Sequence, residues 1–352
     1  MTPLARLIAA QIRLSGPMPL DGYMRLCLLH PQHGYYATRD PFGVQGDFTT
    51  APEISQIFGE MLGLALAQAW LDQGRPAPFA LAEIGPGRGT LMADILRAIR
   101  IVPGMVQAAQ VHLVEASAHL RQIQRGRLGA VTHWENAAQL PEMPLFMVAN
   151  EFFDALPIRQ FQRVEGGWAE RMVTLDYSGA LALGLAPALP SYPAPGPAAP
   201  EGQIRETCPE AAPIVAAIAG RIARHGGAAL VIDYGAWDGQ GDTFQALRRH
   251  RPEHPLAHPG EADLTAHVDF RPLAQAARAA GAAASRIETQ GAWLLRLGIA
   301  ARTERLAAAG DAGASAALHR LTAPGEMGHL FKALAFWAPG AAAPPGFEPL
   351  EH

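Results

Sequence analysis

Residues Glu83-Ile84-Gly85-Pro86-Gly87-Arg88-Gly89-Thr90 set a carboxylate just before three alternating glycines, at the end of the short apolar run 79–84. Glycine lets a backbone turn sharply and approach a ligand that a side chain would strike. Glu83 limits the charge of that ligand: a carboxylate here repels a pyrophosphate and favours a cation. Glu115 closes the next apolar run, 111–114, where a carboxylate can accept hydrogen bonds from both hydroxyls of a ribose. A third group, Asn150-Glu151-Phe152-Phe153-Asp154-Ala155-Leu156-Pro157, follows the run 145–149 and flanks two aromatic rings with two acids and an amide. Asp233-Tyr234-Gly235 follows the run 228–232, and Asp263-Leu264-Thr265-Ala266-His267-Val268-Asp269-Phe270 lies beyond it.

These residues suit S-adenosylmethionine (SAM), which carries a sulfonium and an ammonium but no phosphate. A dinucleotide fingerprint would instead want glycine or alanine where Thr90 stands. Glu83, Gly85, Pro86, Gly87, Gly89, Thr90, Glu115 and Asn150 are the candidate cofactor contacts, and S-adenosylhomocysteine is the expected product. The plainer alternatives are a structural turn for the glycines and a solvated strand end for Glu115. A methyl acceptor must present a lone pair in line with the methyl group, so the protein's work is positioning and charge placement. If the acceptor is a guanidinium, whose charge is delocalised and whose pKa exceeds about 12, carboxylates can hold that charge on the far nitrogens. Glu151 and Asp154, with Asn150 beside them, are assigned that work; alternatively they cap a helix starting near Asp154. His267 is a candidate proton acceptor or a packing residue. Phe152, Asp233, Tyr234 and Asp269 are the candidate substrate contacts. The histidines of 252–259 lack a metal-ligand spacing, and no metal is expected.

The elements that must position these groups follow from periodicity. The run 79–84, the glycines and the helical spacing of 91–99 give strand, tight turn and helix. Strand signals at 111–114, 131–134, 145–149 and 228–232 alternate with helical signals at 118–125 and 211–223, which implies parallel pairing with right-handed crossovers. A last strand is expected at 330–337, a further one at 286–288, and a helix at 270–280. Alternating residues around Gly166-Gly167 and Ser178-Gly179 predict an antiparallel insertion over 158–185. The fold class is α/β: a Rossmann-like, mostly parallel sheet with an N-terminal helical extension and an inserted substrate region. The expected division is an extension with a cofactor-covering loop at 1–74, a first half of the core at 75–155, and an insertion at 156–226. The rest of the core follows at 227–338 with a lid-like segment at 236–269, then a flexible tail at 339–352. The closing Leu350-Glu351-His352 resembles a vector scar and tag.

With 49% hydrophobic residues, 17% charged and a net charge of −4, the 352-residue chain has a globular composition. It lacks the basic excess of a polyphosphate binder, so nucleic acid is not an expected partner. Lys332 is the single lysine among 28 basic residues, so arginines need individual arguments before they mean anything. Two cysteines, Cys27 and Cys208, make a disulfide scaffold unsupported and a reducing compartment the default. No run approaches the roughly 20 apolar residues of a membrane span, so no integral membrane segment is expected. The N-terminal residues read as an amphipathic helix packed on the domain, without a small-residue cleavage site. The low charge permits a homodimer without requiring one.

Taken together, the motifs resemble the MidA-type class I methyltransferases, a family that includes the mitochondrial complex I assembly factor that methylates an arginine. The resemblance rests on Gly46-Asp47-Phe48-Thr49-Thr50-Ala51-Pro52-Glu53-Ile54-Ser55, 83–90, 150–157, Asp233-Tyr234-Gly235 and 263–270, which span most of the chain. It implies a seven-stranded SAM-binding sheet, an N-terminal extension over the cofactor and an insertion shaping a protein-substrate site. By its place in the family pattern, the loop with Phe48, Thr49, Thr50 and Glu53 closes over SAM or the substrate arginine. The implied activity is arginine dimethylation, with the quinone-site hydrophilic subunit of complex I as the implied partner. The relatives imply the mitochondrial matrix; for a bacterial chain the equivalent location is the cytoplasm. The alternatives are a SAM-binding assembly chaperone with little catalysis and a small-molecule methyltransferase, the latter kept open by the histidine-rich segment, which could enclose a compact pocket.

Overall fold

The computed structural model describes residues 1–38, 50–189, 199–239 and 241–351. The chain divides into two compact units: the first is drawn from the described residues of 1–48, 154–210 and 238–269, the second from those of 49–153, 211–237 and 270–352.

The second unit is built on a sheet of strands β1 (Phe79–Ile84), β2 (Ala109–Val114), β3 (Thr132–Trp134), β4 (Leu145–Asn150), β5 (Gly227–Ala236), β6 (Ala283–Ala284) and β7 (Phe331–Trp337). Their order across the sheet is β3-β2-β1-β4-β5-β7-β6. β3, β2, β1, β4 and β5 pair in parallel, whereas β7 runs antiparallel to β5 and β6 antiparallel to β7. Every residue of β1 and of β4 is buried, as expected for central strands covered on both faces. The parallel strands bring 83–90, Glu115 and Asn150 to one edge, because β1 is flanked by β2 on one side and β4 on the other. Their carboxyl ends are where ligands bind in open α/β sheets.

The helices of this unit have local causes. Helix α1 (Ala51–Ile54) precedes α2 (Gln56–Asp72), whose N-cap Ser55 accepts the Ile57 N–H at 3.3 Å. Helix α3 (Thr90–Ala98) starts at Gly89, and α4 (Ala118–Leu128) is capped by the Ser117 hydroxyl and stopped at Gly129. α2 lies so close to α3 that a Cβ on Gly59 would come within 2.5 Å of the Asp94 Cβ. One hydrophobic core joins Phe58, Leu62, Leu66 and Trp70 of α2 to Phe79, Leu81, Phe146 and Leu230 of the sheet.

The first unit has its own core, formed by Leu4, Ile8, Leu20, Tyr23 and Met24 against Ile158, Val173 and Leu264. Its helices Pro3–Ser15 and Leu20–Leu29 bury apolar stripes, and Thr2 caps the first. The antiparallel insertion is present as strands Arg159–Val164, Gly167–Leu175 and Leu181–Leu185, with Ile204–Thr207 and the pair Met18–Pro19 completing the sheet.

Two expectations need correction. The polar segment 236–269 contains a small antiparallel sheet of Gln245–Arg248, Arg251–Glu253 and Asp263–Thr265, so it is more than a lid-like loop; Ala246 and Leu264 anchor it in the core. The stretch expected as a flexible tail is packed: Phe347 is buried against the Trp293 ring at 5.1 Å, and Trp293 Nε1 donates to the Pro345 carbonyl. Its low hydropathy hid one aromatic anchor, Phe347. Helices Gln290–Arg296, Ile299–Ala308 and Ala314–Thr322 occupy a stretch for which the sequence reading predicts no particular element. No helix among the described residues is long and apolar enough to cross a membrane.

Phe347→Ala tests the packed C-terminal stretch. It should lower the unfolding free energy by about 3 kcal/mol in urea titration, whereas a loss below about 0.5 kcal/mol would mean that the stretch contributes no core.

Candidate cofactor and acceptor site

After β1 the backbone must reverse into α3. Gly85, Gly87 and Gly89 all have left-handed φ values, of 67°, 51° and 77°, and the Gly89 N–H closes the turn onto the Pro86 carbonyl at 2.7 Å. The space that two of these glycines provide is used by the protein itself. A Cβ on Gly85 would lie 2.9 Å from the Phe152 ring, and one on Gly89 would lie 3.1 Å from Leu128 Cδ1. The sequence reading assigned that space to the ligand.

Glu83 and Glu115 stand at the ends of neighbouring strands. Glu83 is 2% exposed; it accepts the Met92 N–H in the first turn of α3, while its Oε2 is buried with no hydrogen-bond partner among the described residues. Burial pushes its pKa up to about 8, against the pull of the Met92 N–H, and the charges of Glu115 and Asp94 push the same way. Glu115 Oε1 accepts the Ser117 N–H at 2.8 Å and Oε2 accepts Gln124 Nε2 at 3.2 Å; burial raises this carboxyl too. Gln124 also donates to the Gly87 carbonyl at 2.7 Å, which ties the glycine turn to Glu115.

The loop after β4 is held by two acids. Asp233 is completely buried, and its Oδ2 accepts the N–H groups of Phe152 and Phe153 at 3.2 and 2.9 Å. Asp233, expected as a substrate contact, bonds the main chain of this loop. Glu151 adopts φ = 49°, an uncommon left-handed conformation for a residue with a side chain. Its Oε1 accepts the Ala51 N–H and the Asn150 side-chain amide, both at 3.0 Å. Asn150 Oδ1 is buried with no partner among the described residues. No helix starts near Asp154, which removes the capping alternative for these acids.

Helix α1 joins the two loops. Glu53 Oε1 accepts the Thr90 hydroxyl at 2.6 Å, and Arg127 donates to the same hydroxyl, while Ala51 bonds Glu151. Thr50 is buried at the head of this helix. Glu53 and Thr90, expected on different partners, are therefore bonded to each other. Tyr234 rests its ring on Phe331 at 5.4 Å, and Phe152 meets Phe153 edge to face at 5.2 Å. Phe48 and Thr49 lie outside the described residues.

Asp154, His267 and Asp269 belong to the first unit. The Asp154 carbonyl accepts the Ala266 N–H at 3.0 Å, and the His267 N–H donates to Thr243 Oγ1 at 2.9 Å. Asp269 packs against Gly239, where a Cβ would come within 2.9 Å of its Oδ2. Tyr36 donates to Asp263 at 2.8 Å; burial, then the charges of Asp263 and Asp154, raise its pKa well above the usual tyrosine value. Sequence reasoning missed Tyr36 and Gln124. Gln124 left a signal, since it falls four residues after Leu120 on the buried stripe of an otherwise polar helix.

The donor set fits SAM. Glu83 Oε2 and Asn150 Oδ1 are buried acceptors that lack donors, and an ammonium and ribose hydroxyls supply donors. The sheet order and the acids at the ends of β1 and β2 define a class I methyltransferase. Residues 61–288 match the family of S-adenosyl-L-methionine-dependent methyltransferases. The chain is 37% identical to the mitochondrial protein arginine methyltransferase NDUFAF7 homolog of Drosophila melanogaster, over 97% of this chain and 86% of the relative. It is also 37% identical to the NDUFAF7 protein arginine methyltransferase of Homo sapiens, over 87% of this chain and 76% of that protein. A Burkholderia thailandensis protein crystallised with S-adenosyl-homocysteine superposes with a TM-score of 0.85 at 32% identity, covering 97% of this chain and 93% of that one. The chain belongs to the MidA-type family of SAM-dependent methyltransferases.

Because the folded-state pKa of Glu83 lies above its unfolded value, the folded protein holds this proton between about pH 4.5 and 8 and the unfolded chain does not. Glu83 therefore makes stability fall as pH rises through that window. In cofactor-free protein, Glu83→Gln should raise the melting temperature relative to wild type by an amount that grows up to about pH 8 and then levels off. A difference independent of pH would show that Glu83 is ionised throughout.

Proposed function

We propose that this methyltransferase modifies an arginine side chain of a protein, by dimethylation, and that its partner is the quinone-site hydrophilic subunit of respiratory complex I during assembly in the cytoplasm. The observation that carries the arginine assignment is the 37% identity, across 97% of the chain, to a relative named as a protein arginine methyltransferase. The subunit follows from the family resemblance of the motifs.

SAM, when bound, supplies an electrophilic methyl group on a sulfonium. Glu115 accepts the ribose hydroxyls, and Glu83 and Asn150 offer buried acceptors to the ammonium. Glu151 and Asp154 accept the N–H groups of the guanidinium that are remote from the reacting nitrogen, so positive charge gathers there and the reacting nitrogen keeps its lone pair. Glu151 is suited to this because the bonds from Ala51 and Asn150 fix its carboxylate before any substrate arrives. The reacting nitrogen must also lose a proton, and His267 is the candidate acceptor. Thr50 and Glu53 lie at the start of α1, which is bonded to Thr90 and Glu151, and Phe152, Tyr234 and Asp269 are the candidate substrate contacts.

Glu151→Gln should keep SAM affinity within about threefold and reduce methyl transfer at least about a hundredfold, a scale typical of losing one preorganised charge contact. If binding and transfer both survive, the acceptor is held elsewhere. The partner is tested by mass spectrometry of complex I hydrophilic subunits from the native host with and without this gene. One dimethylated arginine should disappear on deletion; an unchanged subunit would discard that partner.

A further inference from the structure

We propose that Gln124 is a positioning residue, which sets the Glu115 carboxylate for the cofactor ribose and couples it to the glycine turn, with His133 holding Gln124 in place. The proposal rests on the reading that Glu115 accepts the ribose hydroxyls.

Gln124 has no solvent exposure, yet it sits in a helix whose other side chains, apart from Leu120, are not buried. A buried amide is costly unless its donors and acceptor are matched, and here they are. The amide nitrogen has two hydrogens and two partners, the Gly87 carbonyl at 2.7 Å and Glu115 Oε2 at 3.2 Å. The amide oxygen faces His133 Nε2 at 2.8 Å. The reverse amide orientation would set the oxygen against a carbonyl and a carboxylate, both acceptors, so the partners dictate the assignment. An amide oxygen can only accept, which makes His133 Nε2 the donor and fixes the ring tautomer. His133 Nδ1 is buried with no hydrogen-bond partner among the described residues, which agrees with an unprotonated nitrogen there. Burial, then Arg125 and Arg121, lower the pKa of this ring and favour the neutral form.

The consequence for Glu115 is directional. Ser117 takes one carboxylate oxygen and Gln124 the other, and the Ala116 N–H also bonds the group, so the plane of the carboxylate is set. Because Gln124 is neutral, it orients the carboxylate without neutralising it. The same amide holds the carbonyl of the middle glycine, so the turn after β1 and the acid after β2 are set relative to each other.

The test is titration of S-adenosylhomocysteine, and of its 2′,3′-dideoxy analogue, into full-length wild type, Glu115→Ala, Gln124→Leu, the double variant and His133→Phe. Gln124→Leu should weaken binding of the parent ligand about tenfold and that of the dideoxy analogue less than about twofold, because only the parent uses the oriented carboxylate. The double variant should bind no more than about twofold worse than Glu115→Ala alone. His133→Phe, at a partly exposed site that keeps the variant foldable, should show the same ligand selectivity with a loss of about threefold. Equal losses for both ligands would make Gln124 a packing residue and overturn the proposal. If Glu115→Ala leaves binding unchanged, the ribose reading falls and this inference with it. If Glu115→Ala weakens binding while Gln124→Leu and His133→Phe do not, the ribose reading stands and the positioning role falls.

Discussion

A carboxylate buried at the end of a central strand, with one oxygen unmatched, is the constraint on which the cofactor end of this protein depends. Glu83 is held in that state at the end of β1, a strand buried throughout and flanked by β2 and β4, where the Met92 N–H of α3 meets one oxygen. Leaving a polar atom unmatched inside a protein is costly, and such cost concentrates where a ligand completes the pairing. Asn150 repeats the arrangement at the end of β4, the neighbouring strand. The sheet order is what makes these groups neighbours, since 83–90 and 145–150 are far apart along the chain.

Around these ends the protein is fixed by bonds between loops more than by packing alone. Asp233 pins the main chain at Phe152 and Phe153, Gly85 leaves room for the Phe152 ring, and α1 is tied through Glu53 to Thr90 and through Ala51 to Glu151. The loops after β1 and β4 are thereby held by one short helix. The left-handed backbone of Glu151 belongs with this network, because strained conformations persist where surrounding contacts over-determine them. A site of this kind acts mainly by holding charges in place before reaction, which suits transfer of a methyl group between two bound molecules.

The sheet was legible because its strands are short apolar runs ending in glycines or acids, and the glycine turn reported its own conformation. Legibility failed where function depends on tertiary pairing. Asp233 read as a substrate contact because it follows the apolar run 228–232, but β5 continues through it, and its bonds to the N–H groups of residues 152 and 153 cannot be seen from sequence separation. Glu53 and Thr90 were read as contacts to different molecules although they bond each other. The polar segment 236–269 read as a loop because Ala246 and Leu264, its buried members, are too sparse to give a period. Phe347 was hidden among prolines and glycines. Gln124 was the one missed residue with a usable signal, a polar side chain on a buried helical stripe.

In the proposed reading, SAM is held at the carboxyl ends of β1 and β2, with its ribose on Glu115. A crystal structure of this protein with S-adenosylhomocysteine tests it most directly. Ribose oxygens should lie about 2.6–3.2 Å from the Glu115 carboxylate, with the ligand ammonium beside the unmatched acceptors of Glu83 and Asn150. A nucleoside bound elsewhere, with Glu115 touching only protein groups, would contradict it.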